Sequence, residues 1–156
     1  MPPRIVNTIE DAKALVGQEI GISDWMVLDQ ARINQFAEAT DDHQWIHTDV
    51  ERARAEMPGG QTIAHGYLLI SVMPALMESV VSMPTLERAI NYGFNKVRFK
   101  NPVPAGSRVR LRSKLLQAQK RAGALQVIIE NTLEVEGQPR PACVSEVIAL
   151  YFLAGQ

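Results

Sequence analysis

The sequence predicts an α+β domain in which an antiparallel sheet of about five strands covers one long central helix. The segment 65–84 is apolar on nearly every side, which is typical of a buried helix. Four segments with alternating polar and apolar residues follow it, which is typical of strands joined by short turns. Short helical patterns precede it, so extra short helices are expected near the N terminus. Helices in the first half and strands in the second favour the α+β class.

The first third of the chain contains three helical patterns and one strand pattern. NTIEDAKALVG predicts a helix that is capped by Thr8 and ended by Gly17. EIGISDWMVLD alternates weakly and predicts a strand. In DQARINQFAEATDD the apolar residues recur at three- and four-residue spacing, which indicates a clearer helix. DVERARAEMPGG predicts a further short helix that ends at Pro-Gly-Gly.

The central helix and the strands occupy the rest of the chain. Pro74 lies inside the predicted helix and is expected to kink or restart it, because proline has no N–H to donate. Turns containing glycine or proline separate the strand patterns. The predicted strands lie within 89–104, 107–123, 124–139 and 142–155, and the turns are at 104–106, 121–123 and 136–139.

Length and composition favour a single domain over residues 1–156, with enough apolar residues to form a core. No stretch of 18 apolar residues is present, so no membrane span is expected. The N-terminal residues do not show the basic and then apolar pattern of a signal peptide. The single Cys143 excludes an intramolecular disulfide and a cysteine-based zinc motif. A cytoplasmic protein is therefore expected.

Positive charge is concentrated in residues 88–121, which contain ten lysines and arginines and no acidic residue. This distribution is consistent with an anionic partner, although solvated strand faces would explain it equally well. A nucleic acid is not expected as the partner, because the segment has no aromatic platform and no known nucleic-acid-binding motif.

The segment TDDHQWIH, residues 40–47, contains the side chains best suited to chemistry and allows three interpretations. A metal site could use His43 and His47, with Asp41, Asp42 or His65 as a further ligand. The glutamate of the HExxH pattern is absent, however, and no metal is expected. A polar loop between two helices would explain Asp41 and His43. An acid–base pair of Asp42 and His47 is the third interpretation, because a carboxylate can orient a histidine and hold a water.

A second feature is His65-Gly66, which stands where the buried helix is expected to begin. The first N–H groups of a helix have no internal partner, and the helix dipole adds positive charge there. The Gly66 N–H could therefore polarise a thioester oxygen, although a tight turn would also explain the glycine. In the segment 40–47, the Gln44 amide could hydrogen-bond to Asp42 or His47.

Three segments resemble the signature of the MaoC-like dehydratases and R-specific (type 2) enoyl-CoA hydratases: ATDDHQWIH, IAHGYLLIS and VRFKNPVPAGSRVRLRSKL. The resemblance implies the hot-dog fold, a curved antiparallel sheet wrapped around one helix. It implies that Asp42 and His47 are catalytic, that Gln44 replaces the family asparagine, and that Gly66 makes the oxyanion contact. The implied reaction is R-specific hydration of trans-2-enoyl-CoA to (R)-3-hydroxyacyl-CoA, without a cofactor.

Three positions depart from the family signature. Asp41 stands where the family has glycine, Gln44 where it has asparagine, and Trp45 where it has proline. This combination is most similar to the nodulation-protein-N-like branch of the family. The departures leave the substrate range open.

A coenzyme A partner would also explain the basic segment, because arginine and lysine recognise phosphates readily. The acyl chain is expected beside the central helix, near Leu69 or Met73. The residues predicted to contact CoA are Lys96, Arg98, Lys100 and Arg108.

The sequence is also compatible with two other functions, and it predicts a homodimer. A hot-dog thioesterase would use the same Gly66 contact, and a non-catalytic protein would only bind acyl-CoA. A sheet wrapped around one helix leaves an edge or a face uncovered, so a homodimer through the sheet is expected.

Overall fold

The computed structural model describes residues 1–156 and contains an antiparallel sheet that covers two consecutive helices. None of its helices is both long enough and apolar enough to cross a bilayer. The helices are α1 (Ile9–Ala14), α2 (Gln30–Thr40), α3 (Trp45–Thr48), α4 (Val50–Glu56), α5 (Gly66–Ser71) and α6 (Met73–Met77). The strands are β1 (Arg4–Ile5), β2 (Glu19–Ile22), β3 (Met26–Leu28), β4 (Val81–Ser82), β5 (Leu86–Phe99), β6 (Ser107–Arg121), β7 (Ala124–Val135) and β8 (Cys143–Leu153).

The main sheet has the strand order β2-β6-β7-β8-β5, and β3 pairs with β6 beyond the end of β2. All of its pairings are antiparallel, which confirms the predicted α+β class and the four consecutive long strands. The predicted strand EIGISDWMVLD is divided into β2 and β3. The division follows from Ser23, whose N–H donates to the Leu111 carbonyl and whose Oγ accepts from the Leu111 N–H, both at 2.8 Å.

The three predicted early helices are present as α1, α2 and α4, whereas α3 was not predicted, and α1 ends at Ala14, three residues before Gly17. Thr8 caps α1, and its hydroxyl accepts from the Asp11 N–H in a capping box. Gly17 follows α1 with a φ of 85°, a left-handed conformation that glycine adopts without strain. Asp29 caps α2 and Asp49 caps α4.

The segment predicted as one helix over 65–84 forms α5 and α6, which are separated at Val72. Pro74 is the second residue of α6 and cannot donate to the Ile70 carbonyl, so the helix restarts there. The helical part ends earlier than predicted. After Met77 the chain turns and forms β4, which pairs in parallel with β1.

The core consists of two apolar clusters, one between α5–α6 and the sheet and the other between α1 and the sheet. Leu111, Leu133 and Cys143 belong to one cluster, with Leu68 and Leu69 of α5. Leu115, Ile129 and Ala149 belong to the other, farther along the same three strands. Between the clusters lies a polar row, which we define as Ser113, Asn131 and Ser145 on β6, β7 and β8. The strand register places these three residues side by side.

Candidate active site

The candidate site forms where the chain leaves α2 and where α5 begins. Asp41 follows α2 with a φ of 58°, so the chain reverses and Asp42 approaches the start of α5. One side-chain nitrogen or oxygen atom from each of Asp42, His47 and His65 lies within 4.8 Å of the other two. The carboxylate is exposed, whereas His47 and His65 are only 6% and 2% exposed. The structure thus places the two residues of the predicted pair side by side.

His47 has one ring nitrogen available for proton transfer. Its Nδ1 lies 2.7 Å from the Ile63 carbonyl oxygen, which can only accept, so Nδ1 carries a hydrogen and donates it. The neutral ring therefore has its lone pair on Nε2. Burial lowers the pKa of His47, and the neighbouring His65 lowers it further; the bond to Ile63 and the charge of Asp42 oppose this shift. A neutral imidazole with a free Nε2 can accept a proton near neutral pH.

His65 contacts both Asp42 and His47. Its Nε2 donates to the backbone carbonyl of Asp42 at 3.0 Å, and its ring stacks on His47 with 3.9 Å between centroids. The remaining Nδ1 is buried and has no partner in the protein. The sequence predicted no role for His65 other than as a possible metal ligand or as the residue before Gly66. The stacking of His47 and His65 disfavours a shared metal ion. The ring nitrogens of stacked imidazoles lie in nearly parallel planes, whereas the ligands of one ion must point towards it.

The amide that supports the pair belongs to Gln30 and not to Gln44. Gln30 Nε2 donates to the His47 carbonyl at 2.7 Å and so ties α2 to α3. Gln44 forms no side-chain hydrogen bond to Asp42 or His47. Its backbone N–H lies 3.4 Å from Asp42 Oδ1, a long contact within the loop. No sequence signal distinguished Gln30 from other polar residues of α2.

The contacts of Trp45 and the burial of Cys143 indicate that both residues have structural roles. The Trp45 ring is covered by the Arg52 guanidinium, whose carbon lies 4.1 Å from the ring centroid. This contact fixes α3 against α4 immediately before His47. Cys143 is fully buried in the core, and burial raises the pKa of its thiol to about 11, so it is not a nucleophile at neutral pH.

Gly66 is the first residue of α5, as the sequence predicted. Its N–H donates no hydrogen bond within the protein, as expected for the first residue of a helix. A side chain here would meet the Phe99 ring, because a Cβ would lie 3.1 Å from two ring carbons. Glycine thus allows β5 to pass close to the start of α5.

A cavity of about 850 Å³ lies between α5–α6 and the sheet. Its wall includes Met73, as predicted for the acyl site, whereas Leu69 is buried in the core and does not contribute. Ile70 also lines the cavity and lies one helical turn, about 6 Å, from Gly66. The other wall is formed by residues of β5, β7 and β8, including Phe94, Ile129 and Asn131.

The basic segment does not form one patch. Lys96, Arg98 and Lys100 are exposed on and just after β5 and form no ion pair within the protein. Arg108 lies on β6, which β7 and β8 separate from β5, and its guanidinium pairs with Glu136 at 2.8 Å. Beside it, Glu134 lies within 2.9 Å of both Arg110 and Arg112, and these pairs depress the pKa of the Glu134 carboxyl. Burial alone would raise that pKa. Acidic residues of neighbouring strands thus balance the positive face of β6.

Comparison with known proteins gives matches along almost the whole chain. The family model described as MaoC like domain matches residues 11–137. The chain is 46% identical over 149 residues to 3-hydroxyacyl-thioester dehydratase Z of Mycobacterium tuberculosis, covering 95% of this chain and 98% of that protein. It is 44% identical over 147 residues to Nodulation protein N of Rhizobium meliloti, covering 92% and 90%.

Solved structures share the fold at lower sequence identity. An (R)-hydratase of A. caviae superposes with a TM-score of 0.69 at 22% identity, covering 86% of this chain and 94% of that one. A monoamine oxidase regulatory protein of Archaeoglobus superposes with a TM-score of 0.77, also at 22% identity, covering 97% of each chain. These similarities confirm the fold.

Proposed function

Because this chain belongs to the MaoC-like dehydratase family, we propose that it hydrates trans-2-enoyl-CoA reversibly to (R)-3-hydroxyacyl-CoA. The observation that carries the proposal is the paired geometry at the start of α5. His47 presents a lone pair on Nε2 next to the Asp42 carboxylate. Its ring stacks on that of His65, the residue before Gly66, whose N–H is free. The relative named 3-hydroxyacyl-thioester dehydratase Z supports the substrate class.

In the proposed reaction the pair removes one proton from a water while the water oxygen bonds to C3 of the enoyl group. The C2–C3 double bond becomes an enolate whose charge reaches the thioester oxygen, where the Gly66 N–H donates a hydrogen bond. The proton accepted by the pair then passes to C2, so the sum is the addition of one water. Asp42 also orients the water, because its exposed carboxylate can accept a hydrogen bond from it.

We assign the CoA phosphates to Lys96, Arg98 and Lys100, which are exposed and unpaired. Arg108, predicted together with them, lies on another strand with its charge balanced by Glu136. The acyl chain occupies the cavity beside Met73. We further propose a homodimer that forms through β5. We also propose a cytoplasmic location, which the single free cysteine supports.

The test compares two substitutions with two matched controls. Asp42→Asn and His47→Gln should each lower the kcat for hydration of crotonyl-CoA or a longer enoyl-CoA by about 10²-fold or more. The controls, Asp41→Asn and His43→Gln, change the same residue types in the same loop and should retain activity. Hydration is followed as the loss of enoyl thioester absorbance, with chiral analysis of the product.

Three results would contradict the proposal. Unchanged turnover in both pair variants would remove Asp42 and His47 from the chemistry. Release of free CoA thiol from a saturated acyl-CoA, without hydration of any enoyl-CoA, would indicate a thioesterase. Binding of enoyl-CoA without turnover at any chain length would indicate a non-catalytic acyl-CoA-binding protein.

A further inference from the structure

The polar row between the two core clusters is a departure from the apolar core around it. Ser113 and Ser145 are fully buried, and Asn131 is 1% exposed. The Ser113 hydroxyl donates to Asn131 Oδ1 at 2.7 Å, and the Ser145 hydroxyl points at the Met73 sulfur at 3.7 Å. Polar groups placed in a core lower stability unless they are hydrogen-bonded, so each remaining donor of the row needs a partner.

Asn131 has such a remaining donor. Its Oδ1 accepts from Ser113, which leaves both hydrogens of Nδ2 for another acceptor. Nδ2 donates no hydrogen bond within the protein, and Asn131 lies in the wall of the 850 Å³ cavity. Its neighbours in that wall include Ile129, Val147 and Met73, which offer no oxygen acceptor. The amide is therefore a hydrogen-bond donor on a largely apolar surface.

The position of Asn131 can be measured from the reacting end of the site. Asn131 stands beside Ser145 on the neighbouring strand, and Ser145 contacts Met73. Met73 follows Gly66 by seven residues, which corresponds to about 10 Å along the helices. The amide thus lies well beyond the C2–C3 bond of a thioester whose carbonyl contacts the Gly66 N–H.

We propose that Asn131 selects acyl chains that carry a keto or hydroxyl oxygen near the middle of the chain. The oxygen accepts a hydrogen bond from Asn131 Nδ2, while the flanking methylene groups contact Met73 and Ile129. This inference rests on the proposed function, because it requires that the cavity receives the acyl chain. A role of the polar row in strand register alone would leave substrate preference unchanged.

The experiment compares thioesters of equal length. The wild-type protein is assayed with trans-2-dodecenoyl-CoA and with the same chain bearing one oxo group at C7, C8, C9 or C10. We expect kcat/KM to be about tenfold higher for the best oxo isomer than for the plain chain, the size of one net hydrogen bond. Asn131→Leu, of similar volume, should remove this preference. Gln126→Leu, which removes another buried amide of β7 outside the cavity, should keep it.

The outcomes separate this inference from the proposed function. Hydration of the plain chain by the wild-type protein tests the proposed function. The ratio between oxo and plain chains tests the role of Asn131, and it is also measured as affinity for the saturated chains by calorimetry, which needs no turnover. Equal values for all chains in the wild-type protein would overturn the inference without any variant. A preference that persists in a folded Asn131→Leu protein would overturn it as well.

Discussion

His47 takes its chemical state from neighbours that lie far from it in sequence. Burial lowers its pKa from the ordinary value of 6.5, and His65 adds to the shift. Between the lowered pKa and 6.5, the unfolded chain binds a proton at this position that the folded protein does not bind. The contribution of His47 to stability is therefore complete above pH 6.5 and is lost as the pH falls from there through the folded pKa.

The same shift predicts how activity depends on pH. The proposed mechanism requires a neutral His47, so kcat/KM for hydration should fall on the acid side with an apparent pKa below 6.5. Burial is the main cause of the lowered pKa of His47, and His65 adds to it. His65→Leu and His65→Gln should therefore both move this acid limb part of the way towards 6.5. The measurement is a pH profile of kcat/KM for the three proteins.

The two variants also separate positioning from structure. Glutamine can place an N–H where His65 Nε2 donates to the Asp42 carbonyl, whereas leucine cannot. We expect kcat to fall about tenfold in His65→Leu, the size of one lost hydrogen bond, and to recover in His65→Gln. An acid limb and a kcat that remain at wild-type values in both variants would show that His65 has no positioning role.

The sequence predicted the proximity of Asp42 and His47, but not what holds them. Five-residue spacing after a helix is a local pattern, whereas the contacts from Gln30, Ile63 and His65 depend on how three segments pack. The departure at Asp41 has a local explanation that only the backbone shows. Its φ is 58°, a conformation favoured by glycine and tolerated by aspartate, which explains how aspartate can stand where the signature has glycine.

At the scale of elements, the β6–β7 hairpin contains a residue poorly suited to its conformation. Arg121 pairs with Ala124, so Ala122 and Gly123 form a two-residue loop with φ values of 49° and 80°. Positive φ at both positions is the type I′ turn, in which Asn-Gly is preferred. Alanine in this conformation costs about 1 kcal/mol, because its Cβ crowds the carbonyl oxygen.

Ala122→Asn should therefore raise the free energy of unfolding by up to about 1 kcal/mol. The measurement is urea denaturation, with hydration activity expected to remain unchanged because the loop lies outside the site. Ala122→Val is the control, since a β-branched residue is disfavoured at positive φ and should lower stability. Equal midpoints for the three proteins would show that the hairpin relaxes at no cost.

Element types were predictable from periodicity, whereas their interruptions depended on single side chains. Pro74 signalled the division of the central helix in advance, because a missing N–H is a property of the residue itself. The break between β2 and β3 at Ser23 had no comparable signal. A serine can point to solvent or replace a ladder bond, and only the pairing with Leu111 decides between these roles.

At the scale of the whole molecule, strand order separates residues that the sequence groups together. The basic segment continues from β5 into β6, but β7 and β8 lie between these two strands. One part of the segment therefore meets the glutamates of β7 and β2, and the other part stays unpaired. Composition could not show this division, because it depends on which strands are neighbours.

The strand order also leaves β5 with a free edge, which is the basis of the proposed homodimer. This 14-residue strand pairs only with β8. Large apolar side chains along it are 39–55% exposed: Leu86, Ile90, Tyr92, Phe94 and Phe99. A long apolar edge without a partner favours association, and pairing of β5 with β5 of a second copy would continue the sheet across a two-fold axis.

Ile90→Glu should convert the dimer to a monomer, because a two-fold contact brings the new charge into the interface twice. Light scattering should give about twice the 17.3 kDa chain mass for the wild-type protein and a single chain mass for the variant. Ile5→Glu is the matched control, since Ile5 is also exposed but lies on β1, outside the main sheet. A wild-type monomer at micromolar concentration, or equal masses for both variants, would exclude assembly through β5. Since β5 also forms one wall of the cavity, loss of the dimer should lower turnover of long chains more than that of crotonyl-CoA.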